Sequence, residues 1–171
     1  MKRVCAVLLL AVITTIVSAS PITGLLERID RGASKKFIIE EVKSDTDFFE
    51  LDQKGSRVVI RGNNSVSIAT GLNWYLKYYA GIHLSWNGMT ATLPDVLPPV
   101  MKKERHETKL PWRYDLNYCT YSYSMAFWDW ERWEKEIDWM ALHGINLPLA
   151  ITGTETVWYN VLQKLGYNKT E

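Results

Sequence analysis

Apolar and polar positions change their spacing several times between residues 22 and 62. In "ITGLLERI" the apolar positions recur at intervals of three and four residues, which predicts a short amphipathic helix. Three runs rich in β-branched or aromatic residues follow, separated by Asp, Ser and Gly, and each predicts a strand. These runs are "KFIIEEV", "FFELD" and "RVVIRG".

A longer helical pattern comes next, in "SVSIATGLNWYLKYYAG". Its apolar stripe comprises Ile68, Leu72, Tyr75 and Tyr79, and Gly81 suits the carboxyl-terminal cap. "IHLSW" then predicts a further strand. The pattern over residues 20–93 therefore predicts a small α/β sandwich, in which helices cover one sheet, and it contains no recognisable catalytic motif.

Proline and charged residues dominate the next stretch, residues 94–110. Proline cannot donate a hydrogen bond to a sheet or continue a helix, so this composition predicts a linker. We therefore expect two separate packing units, one on each side of it.

Residues 111–171 change to a strand–helix–strand–helix rhythm. "RYDLNYCTY" predicts a strand, "DWERWEKEIDWMALHG" a helix, "PLAIT" a buried strand beginning at Pro148, and "TETVWYNVLQKLG" a second helix. This alternation predicts two parallel βα units. Two such units close neither a barrel nor a doubly wound sheet, so the missing strands come from a longer chain or from a second chain. An open parallel edge would promote aggregation, which favours a fragment.

The first helix of this part has clear end signals. Asp129 is the expected N-cap, and Gly144 is the expected end. The predicted apolar face comprises Trp130, Trp133, Ile137, Met140 and Ala141. Trp139 falls on the opposite side and therefore needs another neighbour, for which the first domain is a candidate.

The first nineteen residues predict a cleaved secretory signal peptide. Lys2 and Arg3 precede a short apolar run, and small residues lie around Ala19. A membrane anchor is the alternative, but no basic flank follows the run. Cleavage lowers the formal net charge of +1 by two and leaves Cys119 as the one cysteine. No internal disulfide can then form.

Composition excludes several classes of function. The near-neutral charge argues against a nucleic-acid partner. The three histidines share no spacing typical of a zinc site, and we expect neither a metal nor another cofactor. The sequence also contains no phosphate-binding glycine loop and no G-x-S-x-G motif.

The tryptophan-rich stretch carries a specific resemblance. "NYCTYSYSMAFWDWERWEKEIDWMALHGINLPLAITGTETVW" resembles the signature region of glycoside hydrolase family eighty-nine, the α-N-acetylglucosaminidases. "SIATGLNWYLKYYAGIHLSWNG" is similar to the end of the amino-terminal α/β domain of that family. The resemblance covers most of residues 20–171. It implies that residues 111–171 are the first two βα units of a (β/α)₈ barrel.

The resemblance also implies an activity. Family members hydrolyse terminal α-linked N-acetylglucosamine, as in heparan sulfate, with retention of configuration. Their partner is therefore a glycan, and the expected location is secreted, periplasmic or lysosomal, without a stable membrane anchor. The two catalytic glutamates of the family lie on later barrel strands, so no catalytic residue is expected within residues 20–171.

Asn117 and Cys119 match the family's Asn-x-Cys, whose side chains line the sugar site. If both lie on a strand, two residues apart, they share one face near the end where barrel active sites form. The alternative is that both merely pack the barrel interior. Arg113 and Asp115 share that parity, and their charges suggest that they precede the strand or pair with each other. Glu155 is expected to stabilise the start of the last helix rather than to act chemically.

Two other functions remain open from the sequence. The first is a non-catalytic secreted carbohydrate-binding or scaffold module that keeps the start of the fold without the carboxylates. The second is another glycosidase family with a small α/β domain before its barrel, such as an α-glucuronidase or a β-hexosaminidase.

Overall fold

The computed structural model describes residues 20–151 and 153–168, so the predicted signal peptide lies outside the described residues. The helices are α1 Pro21–Ile29, α2 Ser65–Tyr78, α3 Tyr118–Tyr123, α4 Trp130–Leu142 and α5 Thr154–Lys164. The strands are β1 Phe37–Glu41, β2 Asp47–Lys54, β3 Arg57–Gly62, β4 Glu104–Thr108, β5 Tyr114–Asp115 and β6 Leu147–Pro148. Two 3₁₀ turns cover Ala33–Lys36 and Met125–Phe127.

The first sheet contains four strands in the order β1-β3-β2-β4. Strand β1 is parallel to β3, whereas β2 is antiparallel to both β3 and β4. The three strands predicted from β-branched and aromatic runs are therefore confirmed. They form the sheet that the sequence placed in a small α/β sandwich.

Helices α1 and α2 cover one face of this sheet. The four predicted apolar positions of α1 are buried, as are Ile68, Leu72 and Tyr75 of α2. Gly71 lets α2 approach the sheet closely, since a Cβ there would lie 3.0 Å from side-chain atoms of Ile60 and Phe49. Gly81 has φ +67°, in agreement with its predicted role at the end of α2.

Ionic side chains cover the opposite face of the sheet. Arg61 pairs with Glu40, with Glu50 at 3.1 Å and with Asp52 at 2.9 Å. The long charged side chains lie along the apolar surface of the strands while their charged ends remain paired. One layer of helices is therefore enough to close this unit.

The strand predicted in "IHLSW" is wrong. The amide of Ile82 donates to the carbonyl of Leu76, 2.8 Å away, and so continues the cap of α2 rather than a sheet. Leu84 is buried in the core on the helix side of the sheet. Ser85 and Gly88 then exchange two backbone hydrogen bonds in a tight turn. The apolar residues of this segment are there to pack against the core, and they do not form a strand.

The predicted linker over residues 94–110 contributes to the first unit. Leu97 and Val100 are buried in its core. Residues 104–108 form β4, which pairs with β2 in antiparallel register. No proline interrupts this strand, and its charged residues suit the edge of a sheet, where they discourage pairing with other chains. The sequence pattern did not predict this strand, because its residues are mostly charged and prolines lie on both sides of it.

The two parts of the chain on either side of residues 94–110 pack against each other. Leu142, at the end of α4, is fully buried in the same core as the helices of the first unit. The Nδ2 atom of Asn73 donates to the carbonyl of Leu142 over 3.1 Å. Arg28 of α1 binds both carboxylate oxygens of Asp138, at 2.6 and 2.7 Å. Helix α4 therefore packs directly on the first unit.

Helix α4 buries part of the predicted face, since Met140 is buried and Trp133 and Ala141 are half-buried. Asp129 caps it as predicted, by accepting a hydrogen bond from the amide of Arg132. However, Trp130 is 69% exposed and Ile137 is 47% exposed. The carboxylates of Glu136 and Asp138 are buried instead, because partners from the first unit satisfy them.

Strands β5 and β6 pair in parallel, as predicted for the start of a barrel. Strand β6 begins at Leu147, one residue before the predicted start, and includes Pro148. The amides of Leu147 and Leu149 donate to the carbonyls of Arg113 and Asp115. Pro148 lies between these two residues and is tolerated there. Neighbouring residues on a strand point their amides to opposite sides, so the pairing with β5 needs no amide at position 148.

Arg113 joins the first sheet to the start of β5. It precedes the strand, and its guanidinium donates to Asp47 at 2.6 Å, to the carbonyl of Leu110 at 2.8 Å and to the carbonyl of Gly144. The other carboxylate oxygen of Asp47 accepts hydrogen bonds from Asn63 and Asn64, both 2.9 Å long. Arg113 thus pairs with Asp47 and not with Asp115.

This junction lowers the pKa of Asp47 below its ordinary value of 3.8. Partial burial by itself raises the pKa, but hydrogen bonds from Asn63 and Arg113 and the positive charge of Arg113 outweigh it. A lowered pKa means that the ionised form stabilises the fold. That stability is present above the pKa of the unfolded chain and is lost as the pH falls through the folded pKa.

We expect Asp47→Asn to reduce the free energy of unfolding at pH 7 by about 1–2 kcal/mol, since a partly buried charged hydrogen bond is lost. The difference from the wild type should shrink below about pH 4, where the wild-type carboxylate also becomes protonated. Denaturant unfolding between pH 3 and 7 measures this. Asp45→Asn is the matched control, because Asp45 is exposed two residues away. An equal loss in both variants, or a loss independent of pH, contradicts the assignment.

Candidate functional site

The chain turns sharply where β5 ends. Leu116 has φ +71°, and it is the one residue other than glycine with a positive φ in the described part of the chain. A branched side chain in this backbone region is unfavourable, and such positions concentrate at functional sites. The amide of Leu116 donates to Oδ1 of Asp115 over 2.7 Å, which supports the turn.

Asn117 follows this turn and caps α3. Its Oδ1 accepts hydrogen bonds from the amides of Cys119 and Thr120, at 2.9 and 3.1 Å, and from the Thr120 hydroxyl. The strand predicted over "RYDLNYCTY" is therefore wrong beyond Asp115. Asn117 and Cys119 therefore do not share a strand face, because the side chain of Asn117 starts a helix that contains Cys119.

The Asn117 amide nitrogen remains available. No described residue accepts a hydrogen bond from its Nδ2, and the residue is exposed. One end of the side chain thus organises the loop while the other end can donate to a ligand. An asparagine at this position suits both tasks at once.

A cleft of about 330 Å³ opens beside Asn117, at the carboxyl end of β5. Its walls are Trp86, Asp115, Leu116, Asn117, Thr120, Met125, Glu136 and Trp139. Active sites of parallel barrels form at this end of the strands. Cys119 is half-buried and does not line the cleft, so the structure brings one of the two predicted site residues to it.

Trp86 and Glu136 also line these walls, and the sequence did not point to either of them. Trp86 comes from the tight turn that was predicted to be a strand, and Glu136 comes from α4. Trp139, which lacked a neighbour in the sequence analysis, is half-buried and stacks on His143 with ring centroids 4.2 Å apart. Helical spacing accounts for the contact of Trp139 with His143, but not for that of Trp86 with Glu136, which lie fifty residues apart.

The remaining sequence candidates lie outside the cleft. Glu155 is in the first turn of α5 and exposed, where its charge stabilises the helix start, as predicted. Among residues 20–151 and 153–168, no cluster of three metal-ligating side chains occurs. In the same residues, no helix combines the length and apolarity needed to span a membrane.

Both parts of the chain match known protein families. Residues 20–99 match the family described as the α-N-acetylglucosaminidase (NAGLU) N-terminal domain. Residues 113–171 match the α-N-acetylglucosaminidase (NAGLU) tim-barrel domain. The two matches follow each other in the same order as the two parts of the structure.

The chain belongs to the α-N-acetylglucosaminidase family. It is 45% identical over 130 residues to the Homo sapiens protein named alpha-N-acetylglucosaminidase. The aligned region covers 75% of this chain and 18% of the human protein. The resemblance noted in the sequence is thereby confirmed.

Solved structures support the same family. A family 89 glycoside hydrolase from Clostridium perfringens in complex with 2-acetamido-1,2-dideoxynojirmycin has a TM-score of 0.79 and 39% identity. A Clostridium perfringens variant with two Glu-to-Gln substitutions, in complex with its substrate GlcNAc-α-1,4-galactose, has a TM-score of 0.78 and 40% identity. Each match covers 86% of this chain and 17% of the other chain. The chain thus spans less than a fifth of the length of these relatives.

The capping geometry predicts distinct effects of two substitutions at Asn117. Asn117→Ala removes the acceptor for the amides of Cys119 and Thr120, and we expect their hydrogen exchange to become about fivefold faster, the effect of about 1 kcal/mol. Asn117→Ser should exchange like the wild type, since serine caps as well as asparagine. Amide exchange followed by mass spectrometry measures both. Equal exchange in all three proteins would show that Asn117 does not organise α3.

Proposed function

We propose that residues 20–171 form the amino-terminal part of a secreted, retaining glycoside hydrolase that removes terminal α-linked N-acetylglucosamine from glycans such as heparan sulfate. The observation that carries this proposal is the consecutive match of both units to one enzyme family. A relative with 40% identity binds GlcNAc-α-1,4-galactose as its substrate. Residues 1–19 would serve as the secretory signal and direct the protein to the periplasm, the lysosome or the exterior.

The reaction needs two carboxyl groups about 5–5.5 Å apart, one as nucleophile and one as acid and then base. We assign neither role to a residue of this chain. The variant relative that holds its substrate carries two Glu-to-Gln substitutions, which is the change expected to disable such a pair. In this proposal both carboxylates come from barrel strands outside residues 20–171.

Asn117 and Cys119 would contribute to sugar binding in the completed barrel. Asn117 is exposed, and its Nδ2 can donate to a hydroxyl or to the acetamide carbonyl of the sugar. Cys119 lies two residues further along the loop, and its small thiol leaves room for a sugar ring. The support for Asn117 is its position on the cleft wall, whereas Cys119 rests on the family motif.

The activity is tested with the full-length gene product. We expect hydrolysis of aryl α-N-acetylglucosaminide and no hydrolysis of the aryl β-N-acetylglucosaminide or of aryl glucuronides. Proton NMR of the first product should show the α-anomer, because two successive displacements retain the configuration. Activity on the β-linked or glucuronide substrate would favour another glycosidase family. A reading frame without further βα units, with glycan binding but no turnover, would favour a carbohydrate-binding module.

A serine at position 117 tests the binding role separately from the fold. Asn117→Ser keeps the helix cap but removes the Nδ2 donor, and we expect kcat/KM to fall by the equivalent of about 1–3 kcal/mol. Asn117→Ala should lose at least as much, because it also loses the cap. Steady-state kinetics on the α-linked aryl substrate measure both variants. A wild-type value for Asn117→Ser would restrict Asn117 to its capping role.

A further inference from the structure

Helix α4 buries a carboxylate beside the candidate cleft. Glu136 is 1% exposed, and an unpaired carboxylate in such a place would be strongly unfavourable. It is satisfied by Trp86, whose indole nitrogen donates over 2.5 Å, and by Nη2 of Arg132 over 3.1 Å. Arg132 belongs to α4 itself, whereas Trp86 comes from the first unit. Glu136 therefore joins the two units at the wall of the cleft.

The guanidinium of Arg132 continues this contact to the end of the α3 loop, which we define as residues 116–129. It lies over two indole rings, 4.6 Å from the ring centre of Trp86 and 4.0 Å from that of Trp128. Trp128 also meets the edge of Trp133, with ring centroids 5.0 Å apart. The last residues of the loop are thus held by stacked aromatic and cationic groups.

The rest of the α3 loop has fewer anchors. Its first residue follows β5, which is fixed by pairing with β6. Met125 is buried in the middle, but Tyr118, Tyr123 and Phe127 are at least 77% exposed. The position of Asn117 along the cleft therefore depends on how firmly the two ends of the loop are held.

The first unit presents Trp86 in a rigid manner. Ser85 and Gly88 flank it in a tight turn closed by two backbone hydrogen bonds of 3.0 and 2.9 Å. The preceding Leu84 is buried in the core. The turn fixes the backbone at Trp86, and the side chain, which is 43% exposed, is held by its hydrogen bond to Glu136. This bond links the position of the first unit to that of α4.

We propose that Trp86 is a positioning residue for the substrate-binding loop, acting through Glu136, Arg132 and Trp128. This inference rests on the proposed function, and it assigns the amino-terminal unit a task in the reaction: holding the loop that carries Asn117. Trp86 also lines the cleft, so the competing explanation is that its ring contacts the sugar directly.

Two conservative variants of the full-length enzyme test the inference. Trp86→Phe keeps an aromatic ring under Arg132 but removes the indole N–H, and Glu136→Gln keeps an oxygen acceptor but removes the charge. Glu131→Gln is the matched control, because it makes the same change in an exposed ion pair with Lys135 on the same helix. The readouts are kcat and KM on the α-linked aryl substrate, the melting temperature, and the labelling rate of Cys119.

Cys119 reports on the loop independently of activity. It is half-buried on α3, and its reaction with a thiol reagent, followed by peptide mass spectrometry, accelerates when the loop loosens. We expect faster labelling of Cys119 in both variants. We also expect a lower kcat, by up to about 100-fold if the loop is displaced by about 1 Å. The double variant should be little worse than the worse single one, since Trp86→Phe removes the hydrogen bond that Glu136→Gln weakens. Glu131→Gln should match the wild type in every readout.

Three results overturn the inference. A raised KM with wild-type labelling of Cys119 in Trp86→Phe would show that the indole contacts the sugar itself. Wild-type kinetics and labelling in both variants would show that the contact positions nothing. Additive effects in the double variant would show that Trp86 and Glu136 act separately. If the wild-type enzyme cleaves no α-linked substrate, the proposed function fails, but the labelling rates still decide whether Trp86 holds the loop.

Discussion

The ion pair between Arg113 and Asp47 is the constraint on which the arrangement of the two units depends. Arg113 lies immediately before β5, and Asp47 begins β2 of the first sheet. The same guanidinium also binds the carbonyls of Leu110 and Gly144, so it fixes the connection before β5 and the turn after α4. A planar group with five donors can satisfy several acceptors at once, which a lysine ammonium cannot do in the same geometry. Strand β5 therefore starts at a fixed point relative to the sheet.

The consequences of this junction extend along α4. Its carboxyl end places Leu142 in the core of the first unit, and its middle places Glu136 and Asp138 against Trp86 and Arg28. Charged residues thus form much of the contact between the units. Buried ion pairs add less stability than well-packed apolar groups, but they penalise any other alignment, since an unpaired buried carboxylate is unfavourable. This contact suits a boundary that must hold one orientation.

The two units differ in how completely they are covered. The first unit closes its core with two helices and a charged sheet face. The second exposes large apolar side chains along α5, among them Val157, Trp158 and Leu162. A large exposed apolar surface typically marks a contact with further protein. The difference agrees with a chain that spans less than a fifth of its relatives.

The sequence by itself determined the elements whose signals are local: α1, α2, β1, β2 and β3, the cap at Asp129, the turn at Gly144 and the parallel βα rhythm. Periodicity and capping act within a few residues, so they can be read without the fold. The family motif also led to the α3 loop. The tertiary structure alone decided that residues 104–108 form an edge strand, that Asn117 caps a helix, and that α4 buries Glu136 instead of Trp130. In two of these cases the deciding partner is distant in sequence: β2 pairs with residues 104–108, and Trp86 satisfies Glu136 from fifty residues away. In the third case the side chain of Asn117 competes with the expected backbone pairing, because it takes the place of a strand partner.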